Sequence, residues 1–334
     1  MNLWVPFEII KNHIILKTGD RRFLVSTGSP ITLLRSEAVQ ALSHHQSLME
    51  GIISGENEKL NITLNLWNQL PLLWRFAKRS PFTDRVLSEI SDFINIPVDG
   101  LIGTDYLMDM DISIDPLSET VIFCPSKARS RECCKGVQMN IETHDNIPVI
   151  NLIYERIEYK AFLDTGSCIS YVDKSLIQDL APVKKNVQDY LPAYGRFETD
   201  IYELKISIGN TEINMRFDVL PPRLADALKQ TGINFIIGTD ILKDFAMYLS
   251  LEGKFLILNK IEIAPEGSPE RWIQKLNATP SYFLINNIPV ESIKDDFIGN
   301  GNITKAIEDR MLFLFEGSTR EHLKRLLAKV KRES

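Results

Sequence analysis

Short apolar and alternating runs, separated by polar turns, dominate the chain up to about Lys260. The stretches FEIIKNHIILKTGDRRFLV and IPVINLIYERIEYKAFL each consist of such runs joined by polar turns, the pattern of a β-hairpin. Two later stretches, ISIDPLSETVIF and MYLSLEGKFLIL, have the same pattern. The sequence therefore predicts a mostly β protein.

Two segments interrupt this pattern and are typical of helices, SPFTDRVLSEI and PPRLADALKQTG. The tail beyond Ile263 has Pro, Gly and Asn punctuation and ends in a predicted helix. Ser318 and Glu321 have the spacing of a capping box at its start. Its basic face is interpreted as a solvated surface rather than a membrane or nucleic-acid contact.

Two motifs occur twice in the same order. FLVSTGSPITLL at 23–34 matches AFLDTGSCISYV at 161–172, and VDGLIGTDYL at 98–107 matches INFIIGTDIL at 233–242. The distance from the first motif to the second is also nearly the same in both copies. Such agreement in order and spacing indicates a duplicated unit.

The repeat divides the chain into four predicted parts. Residues 1–124 form lobe 1, and residues 137–262 form lobe 2. The polar, aperiodic segment PSKARSRECCKG at 125–136 is the predicted linker. Residues 263–334 lie outside the repeat and form a C-terminal extension that contains the terminal helix.

Composition narrows the possible partners. The chain has 334 residues, of which 44% are hydrophobic and 25% charged, and its net charge of −6 gives no reason to expect nucleic acid. Four irregularly spaced cysteines predict no disulfide framework, and neither a zinc pattern nor a phosphate-binding loop is found. We expect no metal and no cofactor. Without an evident signal peptide or membrane-length apolar run, we expect a soluble cytoplasmic protein.

The second copy carries Asp164-Thr165-Gly166-Ser167 after an apolar hairpin, and Ile236-Ile237-Gly238 some seventy residues later. This combination resembles the retropepsin and pepsin group of aspartic peptidases, and the resemblance extends roughly from Phe7 to Lys260. It implies the bilobal acid-protease fold, here built from two duplicated retropepsin-like lobes. Such enzymes hydrolyse peptide bonds with two carboxylates that share one proton and activate a water.

The resemblance also implies roles for residues around the two active loops. The hydroxyls of Thr27 and Thr165 should cross-link the loops, while Gly28 and Gly166 should allow their close approach. The remaining residues are expected to donate hydrogen bonds to the carboxylates (Ser29 and Ser167) or to lie in strands beneath the loops (Gly103 and Gly238).

A flap that folds over the substrate is expected in the second copy at LPAYGRFETD, with Tyr194 and Gly195 near its tip. Tyr194 can equally be read as a surface-loop tyrosine. Asp105 and Asp240, in the two Gly-Thr-Asp segments, are expected to be structural partners or helix caps rather than catalysts.

Ser26 departs from the family pattern, which has aspartate at that position. A serine hydroxyl can bind a water but cannot share a proton as a carboxylic acid does. Asp164, without a like-charged neighbour, is expected to titrate as an ordinary carboxylate. Loss of one of two acid–base groups costs on the order of 10² to 10⁴ in rate. Ser26 as a nucleophile would need a base that the sequence does not identify.

Two functions remain open. The chain is either an aspartic endopeptidase that acts through Asp164, or a pseudopeptidase that uses the interlobe cleft to bind, scaffold or inhibit a protein. The first requires unusual help from Ser26 or a homodimer that pairs two Asp164 carboxylates. A monomer is expected, because lobe 1 is the natural partner of lobe 2. The expected ligand in either case is a peptide or protein segment.

Overall fold

The structure is a computed structural model that describes residues 3–18, 21–38, 81–108, 110–125, 136–191, 195–265, 284–285 and 288–289. Two compact units are distinguished. The first comprises Met1–Glu56, Asn65–Ile114 and Val121–Lys260, and the second comprises Asn57–Leu64, Asp115–Thr120 and Ile261–Ser334. None of the helices in the described ranges is long and apolar enough to cross a membrane.

The first half of the chain, residues 3–125, contains seven of the described strands and two of the described helices. They are β1 (Leu3–Ile10), β2 (His13–Thr18), β3 (Arg21–Val25), β4 (Leu33–Leu34), α1 (Pro81–Ile94), β5 (Gly100–Ile102), α2 (Thr104–Leu107), β6 (Met110–Asp115) and β7 (Thr120–Pro125). Helix α1 is one of the two helices predicted from the sequence, and it is confirmed.

The second half, residues 136–260, is also built mainly of strands. It contains β8 (Val137–Asn140), β9 (Glu142–His144), β10 (Ile147–Tyr154), β11 (Ile157–Leu163), β12 (Ser170–Val172), β13 (Lys184–Leu191), β14 (Gly195–Ile208), β15 (Thr211–Val219), α3 (Pro222–Gln230), β16 (Ile233–Ile237), β17 (Phe245–Ser250) and β18 (Phe255–Lys260). Short 3₁₀ helices lie at Lys174–Leu176 and Thr239–Lys243. The second predicted helix, α3, is thus confirmed, as is the mostly β character of the chain.

Little of the predicted C-terminal extension is described. Within it, β19 (Leu284–Ile285) and β20 (Ile288–Pro289) pair as a small antiparallel sheet. The predicted terminal helix and most of the predicted linker lie outside the described residues. The predicted boundaries of the lobes, linker and extension therefore stay predictions.

Tight turns of the same kind form the first hairpin of each half. Lys11 and Asn12 join β1 to β2, and Asp145 and Asn146 join β9 to β10. All four have positive φ, between 47° and 66°. Two consecutive residues in the left-handed region form the turn whose twist matches that of the flanking strands.

The strands form two large sheets. A ten-stranded sheet has the order β4-β5-β3-β2-β1-β7-β6-β17-β18-β8, and an eight-stranded sheet has the order β13-β14-β15-β12-β16-β11-β10-β9. The ten-stranded sheet runs through both halves, because β6 pairs with β17 with Ile114 opposite Met247. One hydrophobic core takes buried side chains from both halves, among them Phe23, Phe123, Phe217 and Phe235.

The strand before each active loop has the same neighbours in the two halves. Strand β3 lies parallel to β5 with Val25 opposite Ile102, and β11 lies parallel to β16 with Leu163 opposite Ile237. A short strand pairs antiparallel on the other side of β5 and of β16, namely β4 and β12. Each half thus presents one loop from the end of a central strand, where rigid backbone pairing fixes its position.

Candidate active site

Both active loops start from a strand end that is anchored by a backbone hydrogen bond. Ser26 N–H donates to the carbonyl of Ile102 at 3.0 Å, and Asp164 N–H donates to the carbonyl of Ile237 at 2.8 Å. These two bonds extend the parallel pairings by one residue. They place Ser26 and Asp164 at equivalent positions in the two halves.

Two buried threonines join the loops by four reciprocal hydrogen bonds. Thr27 Oγ1 donates to the carbonyl of Leu163 at 2.6 Å, and Thr165 Oγ1 donates to the carbonyl of Val25 at 3.0 Å. Each hydroxyl also accepts from the other threonine's backbone N–H, at 3.1 and 3.0 Å. The cross-link is therefore symmetric, and every polar group in it has a partner.

The glycines that follow the threonines permit close approach of the loops. A Cβ atom on Gly28 would overlap the carboxyl group of Asp164, and one on Gly166 would overlap the side chain of Ser26. Any residue other than glycine at either position would force the loops apart.

Beneath the loops, the two Gly-Thr-Asp segments make matching contacts. Gly103 N–H donates to Thr32 Oγ1 at 3.0 Å, and the Thr32 hydroxyl donates to Asp105 at 2.6 Å. In the second half, Gly238 N–H donates to Ser170 Oγ at 3.0 Å, and Ser170 donates to Asp240 at 2.7 Å. The two aspartates therefore hold the strands under the loops, as structural partners.

Asp164 receives three hydrogen bonds on one carboxylate oxygen. Its Oδ1 accepts from Gly166 N–H at 2.8 Å, from Gly28 N–H at 3.0 Å and from the Ser26 hydroxyl at 3.2 Å. Burial raises the pKa of Asp164, although these hydrogen bonds favour the ionised form and oppose the rise. The expectation of an ordinary pKa is therefore wrong, because the narrow space between the loops desolvates the carboxyl group.

Ser26 occupies the position across from Asp164. Its side chain is buried, with 5% of the residue exposed, and its hydroxyl points to the carboxylate. The two remaining loop serines do not donate to Asp164. Ser29 donates to the carbonyl of Ile31 at 2.7 Å, and the buried Ser167 hydroxyl has no partner among the described residues.

The stretch in which a flap is predicted belongs to the hairpin of β13 and β14, called the flap hairpin below, and its role as a flap stays a prediction. Gly195 begins β14 with a φ of 88°, a left-handed conformation suited to glycine at the end of a turn. Tyr194 lies outside the described residues. Its role in the cleft therefore stays a prediction.

Sequence reasoning missed another flap tyrosine, Tyr190, near the end of β13. It belongs to the hydrophobic cluster of the first half and is only 9% exposed. Its ring stacks on Phe93 of α1 with a centroid distance of 5.2 Å, and its hydroxyl donates to Glu89 Oε2 at 3.1 Å. The alternating sequence of β13 does not indicate that one of its tyrosines contacts α1 of the first half.

His13 was also missed. It is 6% exposed, and its ring lies edge-on to Phe93 with a centroid distance of 6.5 Å. Burial lowers the pKa of His13 to about 4, more than the backbone of Gly166 raises it. The neighbour Gly166 shows that this buried, neutral histidine lies beside the active loop of the second half.

A cavity of about 730 Å³ lies in the second half, away from the loops. Its lining comes from β14, the end of β15, α3 and the Lys174–Leu176 helix, and includes Phe197, Thr199, Asp173 and Lys229. Asp173 and Lys229 form an ion pair of 3.0 Å there. None of the active-loop residues lines this cavity.

The solved structures that are similar to this chain include three aspartic proteases. A retropepsin-like aspartic protease from Rickettsia conorii is 18% identical with a TM-score of 0.27, covering 38% of this chain and 93% of that one. EIAV protease complexed with the inhibitor HBY-793 is 20% identical with a TM-score of 0.23, covering 29% and 85%. The aspartic proteinase from Irpex lacteus is 11% identical with a TM-score of 0.41, covering 78% and 98%.

No protein-family model matches the sequence, and no curated protein matches it significantly. With all three TM-scores below 0.5, function has to be inferred from the site itself. The strand topology and the reciprocal threonine contacts give the chain a mostly β fold with two paired loops of equivalent geometry.

Proposed function

We propose that this protein is a pseudopeptidase, which binds a peptide or protein segment over the paired active loops and does not hydrolyse it efficiently. The observation that carries the proposal is the Ser26 hydroxyl, 3.2 Å from Asp164 Oδ1, where an aspartic peptidase requires a second carboxylate.

The chemistry of the pair explains the loss of catalysis. Peptide hydrolysis by a carboxylate dyad needs one group to take a proton from water while the other protonates or polarises the carbonyl. Asp164 can perform one of these tasks, but the Ser26 hydroxyl is not acidic enough to perform the other. Removing one member of such a unit typically costs on the order of 10² to 10⁴ in rate, and more when the members act together.

The retained scaffold supports binding. Both threonines, both glycines and the strand contacts beneath them persist around Ser26, so the loops keep the form that supports a cleft. We interpret the matching halves as products of an internal duplication in which the first copy lost its aspartate. The proposed ligand is an extended peptide, and the protein needs no cofactor for this role.

The decisive variant restores the missing carboxylate. We expect Ser26→Asp to gain proteolysis of denatured-proteome peptides at acidic pH, read as new termini by mass spectrometry, while the wild-type protein yields none. Ser26→Ala is the matched control, and the double variant Ser26→Asp/Asp164→Asn should be inert. A well-folded Ser26→Asp protein without activity would show that the two residues do not form a catalytic pair.

A second candidate is an endopeptidase that acts through Asp164 alone. The raised pKa of Asp164, in otherwise intact loops, favours it, because a carboxyl group that titrates closer to neutral pH is a better proton carrier. Its signature is cleavage by the wild-type protein that Asp164→Asn abolishes.

The homodimer route to an active enzyme would pair two copies of Asp164. It has to displace the first half, whose Thr27 makes reciprocal hydrogen bonds with Thr165. Light scattering across a concentration series distinguishes this route, since activity and dimer content would rise together.

A further inference from the structure

A polar cluster lies just beyond the active loop of the second half. Cys168 is four residues after Asp164, and Tyr171 follows on β12. Asp189 extends from the flap strand β13, and Asp218 lies on β15. Three of these residues are at least nine-tenths buried, with exposures of 0% for Tyr171, 4% for Asp189 and 1% for Asp218.

Side-chain contacts tie the cluster together. The Tyr171 hydroxyl donates to Asp189 Oδ2, and the Cys168 thiol lies 3.8 Å from Asp189 Oδ1. Tyr171 is directly opposite Asp218 in the parallel pairing of β12 with β15. Burial raises the pKa of both Tyr171 and Cys168, and the negative charges of Asp189 and then Asp218 raise it further.

Asp218 lacks a partner in this cluster. Its buried Oδ1 atom accepts no hydrogen bond from any described residue. Within the described residues, no lysine or arginine forms an ion pair with Asp189 or Asp218. Burial, followed by the charges of Asp189 and Asp240, raises the pKa of Asp218 to about 7. A buried carboxyl group without a partner is costly, and the fold tolerates it here.

The first copy of the repeat lacks these polar groups at the matching positions of its sequence. Cys168 corresponds to Pro30 and Tyr171 to Leu33, and Asp218 follows Phe217 as Ala77 follows Phe76. In the described part of the first half, the loop and β4 form with Pro30 and Leu33 at these positions. The loop and its following strand therefore do not need Cys168 or Tyr171 to form, which favours a ligand as the reason for the polar cluster.

The two carboxyl groups of the cluster favour an organic cation as the ligand. No group of three His, Cys, Asp or Glu residues in the described ranges could hold a metal ion. A guanidinium group presents five N–H donors in a plane and matches carboxylate oxygens that are spread over several ångströms. It would supply the hydrogen bonds that Asp218 lacks and neutralise its charge.

Two part-exposed side chains lie on the route into the cluster. They are Cys168, which contacts Asp189, and Phe197, whose ring lies 6.5 Å from that of Tyr171. A ligand that lies along the active loop of the second half would reach the two carboxyl groups past these side chains.

We propose that Asp218 and Asp189 form a subsite for an arginine side chain of the bound peptide. The subsite rests on the proposed function, because it lies beside the cleft in which that peptide is held. It makes Asp218 a specificity-determining residue and basic peptides the preferred ligand class.

The test compares arginine with its neutral isostere. Two pools of random short peptides, identical except for a fixed arginine or a fixed citrulline, are passed over immobilised full-length Asp164→Asn protein, which prevents cleavage. Mass spectrometry of the retained fraction measures how much of each peptide pool has bound. We expect at least roughly tenfold preference for arginine, which is about 1.4 kcal/mol, since arginine can form a buried charge pair that citrulline cannot. Asp218→Asn should remove this preference, whereas the exposed control Asp226→Asn should keep it.

Each other outcome has a distinct meaning. Equal retention of the two pools overturns the arginine subsite and leaves the peptide-binding function standing. Retention of neither pool overturns both proposals. A preference for arginine that persists in a folded Asp218→Asn protein shows that Asp218 does not form the subsite. The comparison of arginine with citrulline uses a protein that keeps Asp189 and Asp218. Its result therefore does not depend on whether a variant of either residue folds.

Discussion

At the scale of single residues, the chemistry of this protein depends on which carboxyl groups are buried and what they face. Asp164 and Asp218 both have raised pKa values, and desolvation is the largest cause for each. They differ in their partners, because Asp164 accepts three hydrogen bonds while Asp218 Oδ1 accepts none. Of these two carboxyl groups, Asp218 is therefore the one that combines burial with a lack of hydrogen-bond donors.

This difference predicts a pH-dependent effect of Asp218→Asn on stability. The pKa of Asp218 is about 7 in the folded protein and 3.8 when unperturbed, so folding disfavours its ionised form. Ionised Asp218 therefore destabilises the folded wild-type protein. This destabilisation is absent below pH 3.8, grows as the pH rises toward 7 and is complete above pH 7. At about 1.4 kcal/mol per pKa unit, the asparagine variant should gain a few kcal/mol of unfolding free energy in mildly alkaline buffer.

Urea unfolding at two pH values measures the effect. The gain in unfolding free energy should vanish below pH 3.8, where Asp218 is protonated in both the folded and the unfolded wild-type protein. Asp226→Asn, at an exposed position on α3, should show little change at either pH. A stability loss in Asp218→Asn at alkaline pH would contradict the assignment of Asp218 as a buried group without a partner.

At the scale of elements, the hairpin of β13 and β14 contacts the first half through Tyr190. Tyr190 of this hairpin packs in the hydrophobic cluster that contains Ile90 and Leu101 of the first half. Its stacking on Phe93 and its hydrogen bond to Glu89 anchor the flap strand to α1. Since Asp189 is the preceding residue, the same strand links this anchor to the proposed subsite.

Two variants separate the contributions of this anchor. Tyr190→Phe removes the hydrogen bond and keeps the ring, so it should cost about 1 kcal/mol. Tyr190→Ala also removes the stacked ring and should cost about 3–5 kcal/mol, partly through the cavity it leaves. Hydrogen exchange should report faster opening of β13 amides in the alanine variant. Unchanged exchange in β13 would show that Tyr190 does not hold the flap closed.

At the scale of the whole molecule, the two halves are joined by a shared sheet and by the active loops. Strands β6 and β17 continue the ten-stranded sheet from one half into the other. Thr27 and Thr165 add the buried, reciprocal hydrogen bonds between the loops. The position of Asp164 relative to Ser26 therefore depends on both halves at once.

Valine substitutions test the threonine cross-link, because valine keeps the shape and removes the hydroxyl. Thr27→Val and Thr165→Val should each cost about 2–4 kcal/mol of unfolding free energy, since each leaves buried N–H and C=O groups without a partner. The double variant should cost less than the sum of the two, because both residues belong to one network. Thr211→Val, at the less buried start of β15, is the control and should change little. Additive losses in the double variant would mean that the threonines act independently.

Much of the fold could be predicted because it depends on local patterns. Alternating runs predicted the hairpins, and the segments around Val86 and Leu228 predicted α1 and α3. The flap tip and the terminal helix remain predictions, since they lie outside the described residues. The expected hydrogen bonds from Ser29 and Ser167 to Asp164 are not formed. Ser29 donates to the carbonyl of Ile31, a contact that no motif specifies, and the Ser167 hydroxyl has no partner among the described residues.

The sequence by itself determined the strands, the two loop motifs, their nearly equal spacing and the replacement of one aspartate by Ser26. These features depend only on residue types and on their separation along the chain. The tertiary structure alone decided the pKa of Asp164, the anchoring of Tyr190 on α1 and the cluster around Asp218. Each of these depends on desolvation or on contacts between residues far apart in sequence, and such properties exist only after the chain has packed.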